Sequence, residues 1–171
     1  MQSEVLATVV DPRKMRVEVV SGSGHAVIMD AAQPLGGGSA TRPTEALLAA
    51  LAGCTSMDVV SILRKKRQAV AGYQVRVSGE RSAEHPKDFT RIVVEHRVAG
   101  AVRAEALRRS IELSATRYCP VSAMLSKAVP IEHRYLLRRE GEAEEESRAS
   151  VLVVVTGPDT PGVAADPEVG R

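Results

Sequence analysis

The stretch PTEALLAALAGCTSMDVVSILRKKRQ (Pro43 to Gln68) decides how this chain folds. Leu47, Leu48, Leu51, Cys54, Val59, Ile62 and Leu63 recur at roughly helical spacing, which predicts one long helix from Pro43 to about Gln68. Pro43 suits its first turn, where the missing N–H costs no hydrogen bond. The middle, ALLAALAG, is apolar on every side, so the helix is expected to be buried nearly all round. At its end the basic run from Arg64 to Gln68 meets the last carbonyls and the negative end of the helix dipole. That local role accounts for the run without a nucleic-acid partner.

Upstream of the helix, EVLATVV, KMRVEVV and GHAVIMD alternate in part and are separated by DPR and SGSG. They predict an antiparallel meander. Downstream, GYQVRVSGE and DFTRIVVEHRV predict a second antiparallel pair across RSAEHPK. A second helix is expected from Arg103 to Tyr118, with Leu107, Ile111, Ala115 and Tyr118 on one stripe. PIEHRYLLR (Pro130 to Arg138) reads as a last strand. The order strands, helix, strands, helix, strand argues for an α+β fold. One domain is expected over 1–138, and 139–171 is expected to be an acidic, disordered tail in which VLVVV alone has strand character.

Composition excludes several functions. Aromatics are 2% of the 171 residues, with no Trp, which leaves little for stacking on bases. Twenty-three Lys and Arg against 21 Asp and Glu leave a net charge of +2, too small to imply nucleic acid. The start MQSEVLATVV has an early acid and no basic region, unlike a signal peptide. Ala46 to Gly53, the longest apolar run, is short for a membrane span. A cytoplasmic protein with no membrane partner is expected. CxxC, GxGxxG, Walker and GxSxG motifs are absent from the sequence, so no cofactor is implied. His25, His85, His96 and His133 stand alone, and surface or capped roles suffice for them.

Two cysteines remain. In ATRYCPVSAML (Ala115 to Leu125), Pro120 pushes Cys119 out of the α region and suits the first position of a new short helix. Cys119 then becomes an N-cap with the N–H groups of Val121 and Ser122 directed at its sulfur, which favours the thiolate. Cys54 lies about three turns inside its helix, so a thiolate there needs a cation from elsewhere, Arg16 and Arg42 being candidates. Asp58, one turn on, would oppose ionisation if it faced the sulfur, and binding an Arg or capping a neighbour is expected of it instead. Free cysteines are most often small core hydrophobes. A zinc site is less favoured, since the thiols are 65 positions apart and neither has a second Cys or His at ligand spacing.

RPTEALLAALAGCTSMDVVSIL followed far downstream by SATRYCPVSAML resembles the OsmC/Ohr family of thiol-dependent hydroperoxide reductases, in its YhfA-like branch. The resemblance runs from about Lys14 to Leu137. It implies an α+β, two-layer fold with antiparallel sheets and a buried central helix, assembled as an intertwined homodimer. It also implies a peroxidase without metal or haem, in which Cys54 is the peroxidatic thiol and Cys119 the resolving one. An external dithiol would be the reductant. By the resemblance an arginine of the N-terminal sheet activates the thiolate, and Arg16 is the nearest match, with Arg13 or Arg42 as substitutes. Glu45 would be the arginine's partner and Arg42 a binding residue.

The chain departs from that pattern at two places. Members active on hydroperoxides carry Pro-Glu at the helix start, whereas here Thr44 stands between Pro43 and Glu45. They carry an aromatic after the first cysteine, whereas here it is Thr55. These departures motivate an alternative, a redox-responsive small-molecule binding or sulfur-handling protein of the same fold. A third reading keeps the fold and treats the thiols as inert core.

Overall fold

The computed structural model describes residues 3–138, 150–158 and 160. The fold is α+β, and contacts gather in two compact units, Met1–Ala49 and Ala50–Arg171.

In the first unit, strands β1 (Val5–Asp11), β2 (Arg16–Ser21) and β3 (Ala26–Met29) form the expected antiparallel meander, in that order. Asp11 turns the chain by accepting from the Arg13 N–H at 3.1 Å. After β3 the loop is organised by Asp30, whose carboxylate accepts from the Gly37 N–H, the Ser39 N–H and the Ser39 hydroxyl at 3.1, 3.0 and 2.9 Å. Those donors, the Ser39 N–H foremost, hold its carboxyl below the usual range. Gly36 is needed there, because a Cβ would stand 2.5 Å from Asp30 Oδ1 and from the Ala31 carbonyl.

Helix α1 (Pro43–Lys65) starts at the expected proline. Glu45 reaches back to accept from the Arg42 N–H at 3.0 Å, half of a capping box. The helix is long and apolar enough, by length and composition alone, to cross a bilayer, which the apolar run Ala46 to Gly53 did not suggest. Its burial also differs from expectation. Leu51, Thr55, Val59 and Leu63 are buried, while Met57 is 75% exposed and Val60 is exposed as well. Among the described residues one stripe of this helix is covered, while Met57 and Val60 are exposed.

In the second unit, β4 (Ala69–Arg81), β5 (Phe89–Ala101), β6 (Ile131–Arg138) and β7 (Val151–Thr156) form one sheet in sequence order. β4 and β5 are the expected antiparallel hairpin. β6, however, pairs parallel to β5, with Ile92 opposite Ile131 and Val98 opposite Leu137. The expectation of antiparallel sheets holds for the other strand pairs and is corrected at this one. Parallel neighbours need a crossover of a dozen or more residues, and the two helices α2 (Ala104–Leu113) and α3 (Pro120–Leu125) supply it. Val59, Leu63, Val98, Val102, Leu107 and Ile111 form the core between sheet and helices.

β7 corrects a second expectation. It lies in the segment assigned to a disordered tail, yet it pairs antiparallel with β6 and buries Val154. Five apolar, β-branched-rich residues suffice because β6 offers them a ready edge. The acidic run at 139–149 and the end at 161–171 lie outside the described residues.

Candidate active site

The second helix does not run to Tyr118 as an α-helix. α2 ends at Leu113, and Ser114–Tyr118 continue as a π-helical turn closed by Cys119 N–H to Ser114 O at 3.0 Å. The wider turn lets the chain reach the extended conformation that Pro120 demands of Cys119, at φ −74° and ψ 106°. Turns of this kind concentrate at functional sites. Cys119 is then the N-cap of α3, as expected, its Sγ accepting from the Ser122 N–H at 3.3 Å.

Cys54 on α1 faces this sulfur. Donor atoms of Cys54, Asp58 and Cys119 all lie within 4.8 Å of one another. Cys54 and Asp58 are four residues apart and so share a helix face, and Cys119 reaches that face from the π-helical turn. Asp58 does not cap a neighbour or bind an arginine among the described residues. Its Oδ2 accepts from the Ser114 hydroxyl at 3.0 Å, and that hydroxyl lies 3.1 Å from Thr55 Oγ1. Thr55 and Ser114 are fully buried, so the residue after Cys54 turns its polar atom into the core.

The two sulfurs differ in setting. Cys54 is half-buried, whereas Cys119 is 2% exposed. Burial, followed by the neighbouring Cys54 thiol, pushes the Cys119 thiol up to about 12, against the pull of the Ser122 and Val121 N–H groups. The expectation of an activated thiolate at Cys119 is therefore reversed. The capping geometry is present, but desolvation outweighs two N–H dipoles.

The other sequence candidates sit in the first unit or at the start of α1. Arg16 Nη1 donates to Ser39 Oγ at 2.8 Å, which ties β2 to the Asp30 loop. Arg42 and Glu45 form an exposed ion pair at 3.7 Å, so the arginine partner of Glu45 is its own helix neighbour. Arg13 lies 3.8 Å from Asp11 and is exposed.

Sequence reasoning missed a buried polar row in the second unit. Tyr73 Oη and His96 Nδ1 are 2.6 Å apart, and His96 stacks on His133 with ring centroids 5.9 Å apart. Both imidazoles are fully buried. Among the described residues His96 Nε2 and both His133 nitrogens make no hydrogen bond. Desolvation drives their pKa values down to about 3 for His96, with His133 adding to the effect, and to about 4 for His133. Tyr73 is pushed up by burial and then by the Asp58 carboxylate. Only the parallel β5–β6 register, with Val94 opposite His133 and His96 opposite Tyr135, brings the two histidines together.

The sequence model of the OsmC-like protein family matches residues 36–134, more than half of the chain and both cysteines. The chain belongs to the OsmC family. Protein YhfA of Escherichia coli K12 is 43% identical over 116 residues, covering 67% of this chain and 84% of its own length. A hypothetical protein of Aquifex aeolicus VF5 shares the fold with a TM-score of 0.73 at 25% identity, over 82% of this chain and 98% of its own. An OsmC described as an organic hydroperoxide resistance protein, from Legionella pneumophila, superposes with a TM-score of 0.60 at 16% identity, over 81% and 97% of the two chains. This last likeness is one of fold. Within the OsmC family frame, the two thiols of this chain occupy the α1 helix and the turn before α3.

Proposed function

We propose that this OsmC-family protein is a cysteine-based peroxidase that reduces organic hydroperoxides, hydrogen peroxide being a further substrate. The observation that carries this reading is the convergence of the chain's two cysteines within 4.8 Å from positions 65 residues apart. An accessible thiol poised next to a resolving thiol is the usual arrangement for reversible sulfur oxidation.

Cys54 attacks. Its thiolate breaks the O–O bond of ROOH and takes one oxygen, leaving Cys54 as a sulfenic acid and, with one proton, releasing ROH. Cys119 then displaces hydroxide from the Cys54 sulfur, a disulfide forms, and the Cys119 proton leaves with it as water. An external dithiol reduces the disulfide by thiol–disulfide exchange. The assignment is supported by exposure, since Cys54 can be reached, and by the burial that keeps Cys119 protonated until it is needed. Arg16 is proposed to activate Cys54.

The working unit is proposed to be an intertwined homodimer in the cytoplasm, where dithiol reductants operate. β1 exposes Val5 and Val9 on one face and Leu6 on the other, with Val10 exposed at the bulge beside them, and α1 exposes Met57. Apolar exposure on both faces of an edge strand is what a second chain would cover.

Stopped-flow oxidation of the reduced protein with cumene hydroperoxide and, separately, hydrogen peroxide tests the reading. Fast disulfide formation is expected, abolished in Cys54→Ser and diverted to a trappable sulfenic acid in Cys119→Ser. Oxidation no faster than that of free cysteine would turn attention to the alternative, binding of a small sulfur or acyl metabolite, which the polar surroundings of Thr55 and Asp58 favour.

A further inference from the structure

The geometry points to a binding site for a thiophilic divalent cation, zinc(II) foremost, held by Cys54, Asp58 and Cys119 and completed by water. These three side chains present one sulfur, one carboxylate oxygen and one sulfur within 4.8 Å of one another. Ligand bonds of about 2.3 Å for sulfur and about 2.0–2.2 Å for oxygen put tetrahedral donor atoms about 3.5–3.8 Å apart. The cluster needs to contract by at most about 1 Å, within reach of the side-chain torsions of Cys54 and Asp58 on one helix face.

Three features make this more than two adjacent thiols. Asp58 has no cationic partner among the described ion pairs, although it stands against two sulfurs. A carboxylate in that place is the natural third ligand for a cation held between the two sulfurs. The Ser114 hydroxyl donates to Asp58 at 3.0 Å, and Thr55 Oγ1 lies 3.1 Å behind it. Metal-bound carboxylates are held in this way by outer hydrogen bonds that fix their orientation. Third, Cys119 Sγ is already oriented by the Ser122 N–H at 3.3 Å. S₂O donors with water as the fourth ligand suit zinc(II) better than the all-oxygen cations.

Binding balances simply. The cation enters, two thiol protons leave, and the site carries the same charge before and after. Disulfide formation removes both sulfur ligands, so the oxidised protein releases the metal. The occupied site in turn shields both thiols from oxidants and alkylating reagents. This inference stands whether or not the thiols reduce peroxides.

The test uses the full chain, reduced and freed of metal by chelation. Zinc(II) is titrated against a chromophoric chelator, and cadmium(II) is followed by its ultraviolet thiolate charge-transfer band. One equivalent per chain is expected, with the cadmium band present in the reduced protein and absent after oxidation to the disulfide. Asp58→Asn is expected to weaken zinc binding at least about tenfold, with folding checked by circular dichroism. Absence of the cadmium band in the reduced protein, or a loss below tenfold in folded Asp58→Asn, overturns the three-ligand site. No peroxide enters these measurements. Metal binding without peroxide-driven thiol loss would sink only the peroxidase, and the reverse result only the metal site.

Discussion

The Ser114 hydroxyl donates to the Asp58 carboxylate at 3.0 Å, joining the π-helical turn that carries Cys119 to the helix that carries Cys54. Ser114 is fully buried, as is Thr55 on its other side. Replacing Ser114 with Ala leaves the Thr55 hydroxyl and one Asp58 oxygen without this partner. The expected cost is about 1–3 kcal/mol of stability, the penalty of an orphaned buried polar group. Chemical denaturation with unchanged m-value checks it. A Ser114→Ala protein as stable as the parent would show that the bond holds nothing together.

Cys54 is expected to react first with iodoacetamide in the native reduced protein at pH 7–8, by at least about tenfold over Cys119, because the thiolate is the nucleophile and Cys119 is both buried and held protonated. Timed quenching and peptide mass mapping read the order directly. Labelling of Cys119 first would reverse the proposed division of labour between the sulfurs.

Acid is expected to destabilise the fold through His96 and His133. Both have folded pKa values, about 3 and about 4, below the usual ~6.5. Below pH 6.5 the unfolded chain binds protons that the native state refuses, so stability rises with pH through this window and is fully present above it. The slope is about 1.4 kcal/mol per pH unit for each histidine. His133→Leu removes one such group along with its two unpartnered nitrogens, and should flatten the decline between pH 6 and pH 4. Denaturation midpoints across that range measure it, and parallel pH profiles for the two proteins would contradict it.

Truncation after Arg138 removes β7 and bares the edge of β6. It also uncovers the surface on which Val154 is buried. A lowered thermal midpoint and a tendency to aggregate are expected, as exposed strand edges pair with other chains. Thermal melts and light scattering on the truncated chain decide the matter. Indifference to the cut would return Val151–Thr156 to a dispensable tail.

Met57→Glu places a charge on the open face of α1, where Met57 is 75% exposed in one chain. If that face is covered by a second copy, light scattering should show dimer for the parent and monomer for the variant. A parent that is monomeric at all concentrations removes the proposed interface.

Much of this was legible from proline and helix spacing. Pro43 marked the start of α1 and Pro120 made Cys119 an N-cap, because proline constrains its neighbours whatever the tertiary context. Other features depend on neighbours that no local pattern names. Burial overrode the cap at Cys119, and nothing in YCPVS reports how deep the sulfur lies. The spacing of Cys54 and Asp58 placed them on one face, but that the face meets Cys119 and Ser114 depends on the fold. His96 and His133 looked solitary because their partnership arises from two strands whose parallel pairing the sequence period does not encode. The meander of β1 to β3, by contrast, follows from local turns and was readable.

The parallel β5–β6 pair also sets a timetable for the chain on the ribosome. Strand β6 cannot join the sheet until the whole crossover from Val102 to Pro130 has been synthesised, because pairing of distant strands waits on loop closure. Cys119 lies inside that crossover, 65 residues after Cys54, so Cys54 emerges while its partner sulfur is still unmade. The nascent chain passes through an interval as a single-thiol species, in which oxidation would join it to another molecule rather than to itself.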